Sequence, residues 1–211
     1  MTTSRLFTTL FLILGMTSTV AMAASTRTLS ESYQYDGQEV SLDMGIGSAK
    51  FIATDSNEIK IEVVVEDSDT NWLFFWGDTD LSDIAIESKI TTKALNLSLN
   101  EQDNIEQQWT VYLPKQTALS LEVGVGAIEV SGMTNDIEIS LGVGSAVVEH
   151  QITYNSIDLD SGVGDVSISE QGRKLTVERS LVAQSYSNKD QAGEASLTVD
   201  VGVGEVVVTK L

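Results

Sequence analysis

The chain of 211 residues contains no cysteine, one histidine and one proline. Without cysteine it forms no disulfide, has no lipoprotein-type anchor and offers no thiolate to a metal. The single histidine, His150, therefore has no cysteine partner for a nucleophilic or zinc site, and we interpret it as a surface or turn residue. We expect a protein that is stabilised by its own hydrophobic core and that uses no cofactor and no metal.

Basic residues are scarce as well. Only 12 lysines and arginines stand against 31 acidic residues, which gives a formal net charge of −19. Such a surface repels nucleic acid and anionic lipid, so neither is an expected partner. The charge permits a cationic partner or divalent ions, but a hydrated acidic surface is the simpler interpretation.

Long apolar runs are confined to the N-terminus. Arg5 precedes an apolar stretch over residues 6–16, and Ala21-Met22-Ala23 forms an AxA cleavage site. The stretch is short for a membrane span, and no second one follows. These features predict a signal peptide over residues 1–23 and a mature protein that is periplasmic or secreted. An uncleaved anchor helix is the alternative.

The chain is rich in one motif, a doublet of glycines around a single apolar residue. Apolar residues recur three and one before the first glycine, and one, four and six after it. The step changes from two to three across the doublet, which indicates a strand, a corner and a second strand, with the residue between the glycines facing inward. Glycine suits a corner because it has no Cβ. The predicted corner residues are Gly45, Gly47, Gly124, Gly126, Gly142, Gly144, Gly162, Gly164, Gly202 and Gly204.

The spacing of the doublets predicts their arrangement. From Gly124 onward they begin 18, 20 and 40 residues apart, and a period near twenty is typical of a solenoid whose coils cover one another. We interpret the gap of 40 as hiding one degenerate coil around residues 180–186. The 79 residues between the first two doublets approximate four coils. The predicted fold is an all-β solenoid with GxG corners.

The competing architecture is an antiparallel β-sandwich in which the doublets are hairpin tips. Hairpin tips favour Asn-Gly or Asp-Gly, whereas here an apolar residue separates the glycines, which favours the solenoid. No linker rich in proline, glycine or serine divides the chain. We expect one domain over residues 24–211, with a less regular part over 24–115 and a polar loop over 182–193.

Stacked coils align equivalent outward residues in columns. Acid and serine alternate from Glu122 onward in the predicted column two residues before the doublets, which relieves the repulsion between like charges on neighbouring strands. Such a column suggests a strip for divalent ions or a cationic ligand, but a hydrated outer face is simpler because no calcium-loop spacing is present. Its members are Asp43, Glu122, Ser140, Asp160, Ser180 and Asp200.

One segment is unusually aromatic. It reads Trp72-Leu73-Phe74-Phe75-Trp76 between aspartates. Burial of these side chains would contribute several kcal/mol at about 25 cal/mol per Å², so the segment either caps an open end of the solenoid or docks on a partner. The candidate partner-binding residues are Trp72, Phe74, Phe75 and Trp76.

Catalytic candidates are few. Asp158, Asp160 and Asp165 surround one doublet, and clustered acids also occur in some β-helical enzymes that cleave polysaccharides. Asp158 and Asp160 alternate outward along one strand, as a solvated face requires, so a carbohydrate-active enzyme with an acidic cleft stays an alternative. The GxG doublet is not a nucleotide loop, since neither a third glycine nor a helix follows it. We expect a protein that is not an enzyme.

The phrases GVGAIEV, GVGSAVV, GVGDVSI and GVGEVVV resemble the repeats of a bacterial adhesin family of envelope β-solenoids, a toastrack-like domain of unknown function. The resemblance covers the C-terminal half well, and residues 60–115 match only as generic strands. It implies a right-handed, single-stranded β-helix and a non-catalytic binding or scaffolding role in the envelope, and it carries over no catalytic residue. A stress sensor or accessory subunit that docks through residues 72–76 is the alternative.

Overall fold

The computed structural model describes residues 26–67, 80–189 and 191–211. Thirteen strands join in one sheet, and the only helical segment of these ranges is a 3-10 turn, Leu81–Asp83. The prediction of an all-β fold is confirmed. The strands are β1 Thr26–Gln34, β2 Glu39–Thr54, β3 Glu58–Asp67, β4 Ile86–Ile90, β5 Ala94–Leu99, β6 Ile105–Pro114, β7 Leu119–Ser131, β8 Ile137–His150, β9 Ser156–Glu170, β10 Arg173–Lys174, β11 Glu178–Arg179, β12 Gln184–Asn188 and β13 Ser196–Lys210.

The five strands that contain a doublet form the centre of the sheet. They pair in parallel in the order β2, β7, β8, β13, β9, and every strand passes through its doublet without a break. The register places all five doublets side by side. Glycines inside parallel strands are not hairpin tips, so the antiparallel sandwich with doublets at its tips is wrong.

The order of the stack departs from the order of the chain. β13 lies between β8 and β9, and β7 pairs directly with β2 although a long stretch of sequence separates them. The degenerate coil predicted around residues 180–186 is wrong, because β12 runs antiparallel along the first half of β9. The same strand occupies part of the loop predicted over residues 182–193.

The segment between the first two doublets is not four coils. β5 pairs in parallel with the first half of β2 and β6 with its second half, so these two short strands form a single coil. Its corner is the loop of residues 100–104 instead of a glycine doublet. β4 adds to β5, and β3 and β1 add to β6, all in antiparallel pairs that extend the sheet at this end.

Alternating apolar residues fill the interior. Leu42, Phe51, Trp109 and Ile128 are all buried, and burial of each such side chain contributes about 1.5–3 kcal/mol. His150, which we interpreted as a surface or turn residue, is buried as the last residue of β8, on the inward parity of that strand. Burial of these side chains therefore stabilises the stack of strands. The stack in turn determines which groups lie side by side on the outer surface at the doublets.

Candidate functional site

Adjacent strands approach one another most closely at the doublets. A Cβ on Gly144 would lie 1.7 Å from the carbonyl oxygen of Gly126, and a Cβ on Gly142 would lie 2.5 Å from that of Gly124. Gly144 also has a φ of +143°, in the region that L side chains avoid. The second glycines of the other doublets have the same geometry. At every doublet glycine except Gly45, a Cβ would meet a neighbouring backbone oxygen at 2.9 Å or less, so the backbone of the corner is bare.

The residue between the two glycines does not face inward, and that prediction is wrong. The five residues at this position are 45 to 50 % exposed. The strand bends here, and the residue at the outside of the bend points to solvent although strict alternation would bury it. These side chains form one continuous line across the stack, which we call the corner ridge: Ile46, Val125, Val143, Val203 and Val163.

An acidic column runs parallel to the corner ridge, two residues before each doublet. The paired residues follow the order Asp43, Glu122, Ser140, Asp200, Asp160. The predicted alternation of acid and serine is therefore wrong, since the insertion of β13 sets two aspartates directly opposite each other. Ser180 does not belong to the column. Ser185 of β12 lies opposite Asp160 instead.

A shallow groove of about 500 Å³ follows the first glycine of four doublets, Gly45, Gly124, Gly142 and Gly202. Its lining includes Asp43, Glu122, Ser140 and Asp200 but neither lysine nor arginine. Among the residues that the structure describes, no group of three histidine, aspartate or glutamate side chains is arranged to hold a metal ion. The groove, the acidic column and the corner ridge together form one surface, which we call the corner face.

Glutamine side chains complete the corner at its N-terminal end. Gln102, in the loop that replaces a doublet, accepts a hydrogen bond from the backbone N–H of Gly45 at 2.7 Å through its Oε1. The same oxygen accepts from Gln107 Nε2 at 3.1 Å, and Gln107 Oε1 accepts from the indole of Trp109 at 2.9 Å. Sequence reasoning missed these residues because isolated glutamines carry no periodic signal.

A glutamine side chain also completes the corner at the C-terminal end of the stack. Gln184 Oε1 accepts from the backbone N–H of Val166 at 3.2 Å, and Ser161 donates to the carbonyl oxygen of Gly204 at 2.9 Å. Ser161 is the one polar residue in the apolar pattern of the repeats, and that exception was the only sign of this contact in the sequence. Gln184 also donates to Asp165.

The remaining predicted site residues divide into two groups. Trp72, Phe74, Phe75 and Trp76 lie outside the described residues, and their role in binding a partner stays a prediction. Of the three acids considered for catalysis, Asp158 and Asp160 lie two residues apart on the outer side of β9, whereas Asp165 lies beyond the corner. The third acid is bonded to Gln184 and does not join the other two in one cluster.

No protein-family profile matches the sequence, and no curated protein matches it. Comparison with solved structures gives several similarities at low sequence identity. A putative cell adhesion protein from Clostridium sporogenes shares 15 % identity with a TM-score of 0.52, over 89 % of this chain and 100 % of its own. A putative adhesin from Parabacteroides merdae shares 10 % identity with a TM-score of 0.34, over 68 % and 64 % of the two chains. Another from Bacteroides fragilis shares 8 % identity with a TM-score of 0.32, over 89 % and 99 %. At 15 % identity, the similarity to the Clostridium sporogenes protein shows a shared fold and nothing more.

Within the described ranges, no helix has both the length and the apolar character needed to cross a bilayer.

Proposed function

We propose that this chain is an exported, non-catalytic, adhesin-like binding protein of the bacterial envelope and that it binds through the corner face. The corner ridge carries this proposal. Its five aliphatic side chains are about half exposed and stand in one line, and the largest apolar patch of a domain, about 300–600 Å² on a typical monomer, is often a functional surface. The signal pattern of residues 1–23 and the fold shared with the Clostridium sporogenes cell adhesion protein both support it.

The surroundings of the ridge favour a binding surface that is formed in advance. Each ridge residue is held between two glycines whose strands pair with neighbours on one or both sides. A β-branched side chain on a hydrogen-bonded strand has little rotamer freedom to lose when it is covered. The ridge therefore meets a partner at a low entropic cost.

The negative charge of the corner face favours a positively charged partner. Asp43, Glu122, Asp200 and Asp160 follow the whole length of the ridge. A second copy of this chain would bring a like-charged column against this one, and its net charge of −19 opposes association. The proposed partner is a protein segment that presents aliphatic side chains beside lysine or arginine.

A labelled peptide of alternating lysine and valine is a direct probe of this surface. We expect saturable binding by fluorescence anisotropy, and the affinity should fall as salt rises. Replacement of Val125, Val143 and Val203 by serine keeps the charge of the protein and should weaken binding about tenfold or more. A peptide of alternating glutamate and valine should not bind.

Ile90→Ser is the matched control, because Ile90 is an exposed aliphatic residue on β4, which pairs with β5 outside the glycine stack. This variant should bind the lysine–valine peptide as the wild type does. Equal affinity of the triple serine variant and the wild type would contradict the proposed binding surface. Concentration-dependent dimers of the wild-type protein that the triple variant fails to form would replace the cationic partner by a second copy.

A further inference from the structure

Three neighbouring strands carry a polar or charged residue on their inward side, at the ends that lie away from the corner. The residue eight positions after the first glycine of a doublet has the inward parity of its strand. In β8, β13 and β9 this residue is His150, Lys210 and Glu170, and strand pairing sets the three in one row. The corresponding residues of the other two repeats are Ala53 and Gly132. Lysine and glutamate seldom take inward positions, so this row indicates a role other than packing.

The row borders a half-open cavity of about 250 Å³. Its apolar lining includes Ile157 from the first half of β9, Ile168 from the second half and Leu175 from the segment after β10. All three side chains pack on the core. A cavity of about 150 Å³ lined by aliphatic residues binds benzene, so this one has room for a branched aliphatic group or a benzyl group.

Lys210 and Glu170 form an ion pair in the lining of the cavity. Lys210 Nζ lies 2.7 Å from Glu170 Oε1 and donates to the Thr153 hydroxyl at 3.0 Å. An ammonium group has three donors, so one N–H remains for a ligand. Glu170 Oε2 has no hydrogen bond with any residue that the structure describes. The hydrogen bond from Lys210 lowers the pKa of Glu170, which is therefore ionised at pH 7.

The two charged side chains are accessible, whereas the histidine beside them is not. The side chains of Lys210 and Glu170 are 22 and 37 % exposed. His150 is buried, and its Nε2 has no accessible surface to offer a ligand. The charge open to a ligand is therefore one N–H of an ammonium group beside one oxygen of a carboxylate.

We propose that this cavity binds a free amino acid with an apolar side chain. The α-carboxylate of the ligand accepts a hydrogen bond from Lys210 Nζ, and its α-ammonium group donates one to Glu170 Oε2. The apolar side chain of the ligand contacts Ile157, Ile168 and Leu175.

The ion pair favours a zwitterion over a ligand with a single charge. A zwitterion places each of its charges next to the opposite charge of the pair, so the charge balance of these partly buried groups is kept. A ligand with one charge is attracted by one member of the pair and repelled by the other. The site is independent of the corner face, since none of the ridge residues lines the cavity.

L-phenylalanine and L-leucine are the probes, and ligand-observed NMR titration of the wild-type protein measures their affinity. 3-Phenylpropanoate is the matched control without the ammonium group, and 2-phenylethylamine is the matched control without the carboxylate. We expect saturable binding of both amino acids, and each control should bind about tenfold more weakly than phenylalanine. Glycine has no side chain and should also bind about tenfold more weakly or less.

A double variant tests the location of the site. Lys210→Gln with Glu170→Gln removes both charges, keeps the net charge of the protein and should weaken the binding of phenylalanine about tenfold or more. The matched control is Lys50→Gln with Glu129→Gln, which removes an exposed ion pair of 2.9 Å on the outer side of the stack. This control should bind phenylalanine as the wild type does.

Three results would overturn the proposal. The first is a wild-type protein that binds neither amino acid saturably up to its solubility limit. The second is a control ligand with one charge that binds as tightly as phenylalanine. The third is equal affinity of the two double variants for phenylalanine. The first two comparisons use the wild-type protein alone, so they stand even if the cavity variant does not fold.

Discussion

The backbone of the corner is covered by neighbouring glycine doublets in the interior of the stack and by glutamine side chains at its two ends. In the interior the backbone of one doublet faces the backbone of the next, and the approach is so close that only glycine fits. At the ends no further doublet follows, and the side-chain amides of Gln102 and Gln184 accept hydrogen bonds from backbone N–H groups. A primary amide has the same acceptor group as a peptide bond. The close approach of strands thus requires glycine in the interior, and side-chain amides bond to the backbone where no further doublet follows.

The largest expected effect comes from a side chain placed in the interior of the corner. Gly144→Ala puts a methyl group 1.7 Å from the Gly126 carbonyl oxygen, where only movement of the backbone could relieve the clash. We expect the free energy of unfolding to fall by more than about 4 kcal/mol, as for the most disruptive core substitutions. Urea denaturation followed by circular dichroism measures this loss.

Gly37→Ala is the control for the Gly144→Ala variant, because it carries the cost of a positive φ without a steric clash. Gly37 also has a positive φ, +91°, but nothing lies within 4 Å of a Cβ at this position. This variant should lose only about 1–2 kcal/mol. Equal losses in the two variants would show that the conformation of the glycines matters and that the close approach of the strands does not.

The next largest effect is expected at the N-terminal end. Gln107 is buried, and its side chain joins Gln102 to the indole N–H of Trp109. Gln107→Met keeps the size of the side chain but leaves the buried indole without an acceptor. We expect a loss of about 2–3 kcal/mol in urea denaturation.

Gln108→Met is its control, since Gln108 is the exposed neighbour on the same strand. It should change stability by less than about 0.5 kcal/mol. A Gln107→Met variant as stable as this control would mean that the glutamine network does not hold the end of the corner.

Local sequence patterns predicted more of the buried core than of the two ends of the stack or of the order of its strands. Alternation correctly placed Leu42, Phe51 and Ile128 in the core, because a strand with one buried face has a period of two. All five doublets have nearly the same local sequence. No local signal therefore indicates that β13 lies between β8 and β9. The exposure of Val143 was missed for a related reason. Periodicity gives the parity of a residue but not the direction of a bend.

For the candidate site too, the sequence predicted most of the residues but not their arrangement. The members Asp43, Glu122, Asp160 and Asp200 of the acidic column followed from their common position before a doublet, whereas their order depended on the stacking of the strands. Gln102 gave no signal at all. Its role arises from a contact with Gly45, which is distant in the sequence.

A pH dependence is expected near the C-terminal end. Burial lowers the pKa of His150 below its ordinary value of 6.5, an effect that nearby Lys210 reinforces and that the hydrogen bond to the Ile152 carbonyl opposes. Below that value the unfolded chain takes up a proton that the folded chain does not. Stability is therefore complete above about pH 6.5 and falls as the pH drops. The slope should approach about 1.4 kcal/mol per pH unit.

Urea denaturation between pH 7.5 and about 5 measures this slope above the range where most carboxylates titrate. His150→Gln removes the titrating group and should give a nearly flat profile over this window. An unchanged slope in the variant would assign the effect to other groups. A ¹⁵N titration of the wild-type protein that placed the histidine pKa above 6.5 would contradict the direction of the shift.

The smallest expected effect is a gain in stability on the outer side of the stack. Asp200 lies directly opposite Asp160, and like charges on neighbouring strands repel each other. Asp200→Ser should raise the free energy of unfolding by about 0.2–1 kcal/mol at low salt, and the gain should disappear at high salt.

Glu138→Ser tests whether this gain comes from the pair or from the general excess of acid. Glu138 is also exposed on the stack, but its neighbours across the strands are Ser120 and Thr198. If the pair is responsible, only the Asp200 variant gains stability, because only there does an aspartate face another aspartate. Equal gains in both variants would assign the repulsion to the net charge of the whole protein, and the position of β13 between β8 and β9 would then have no electrostatic consequence.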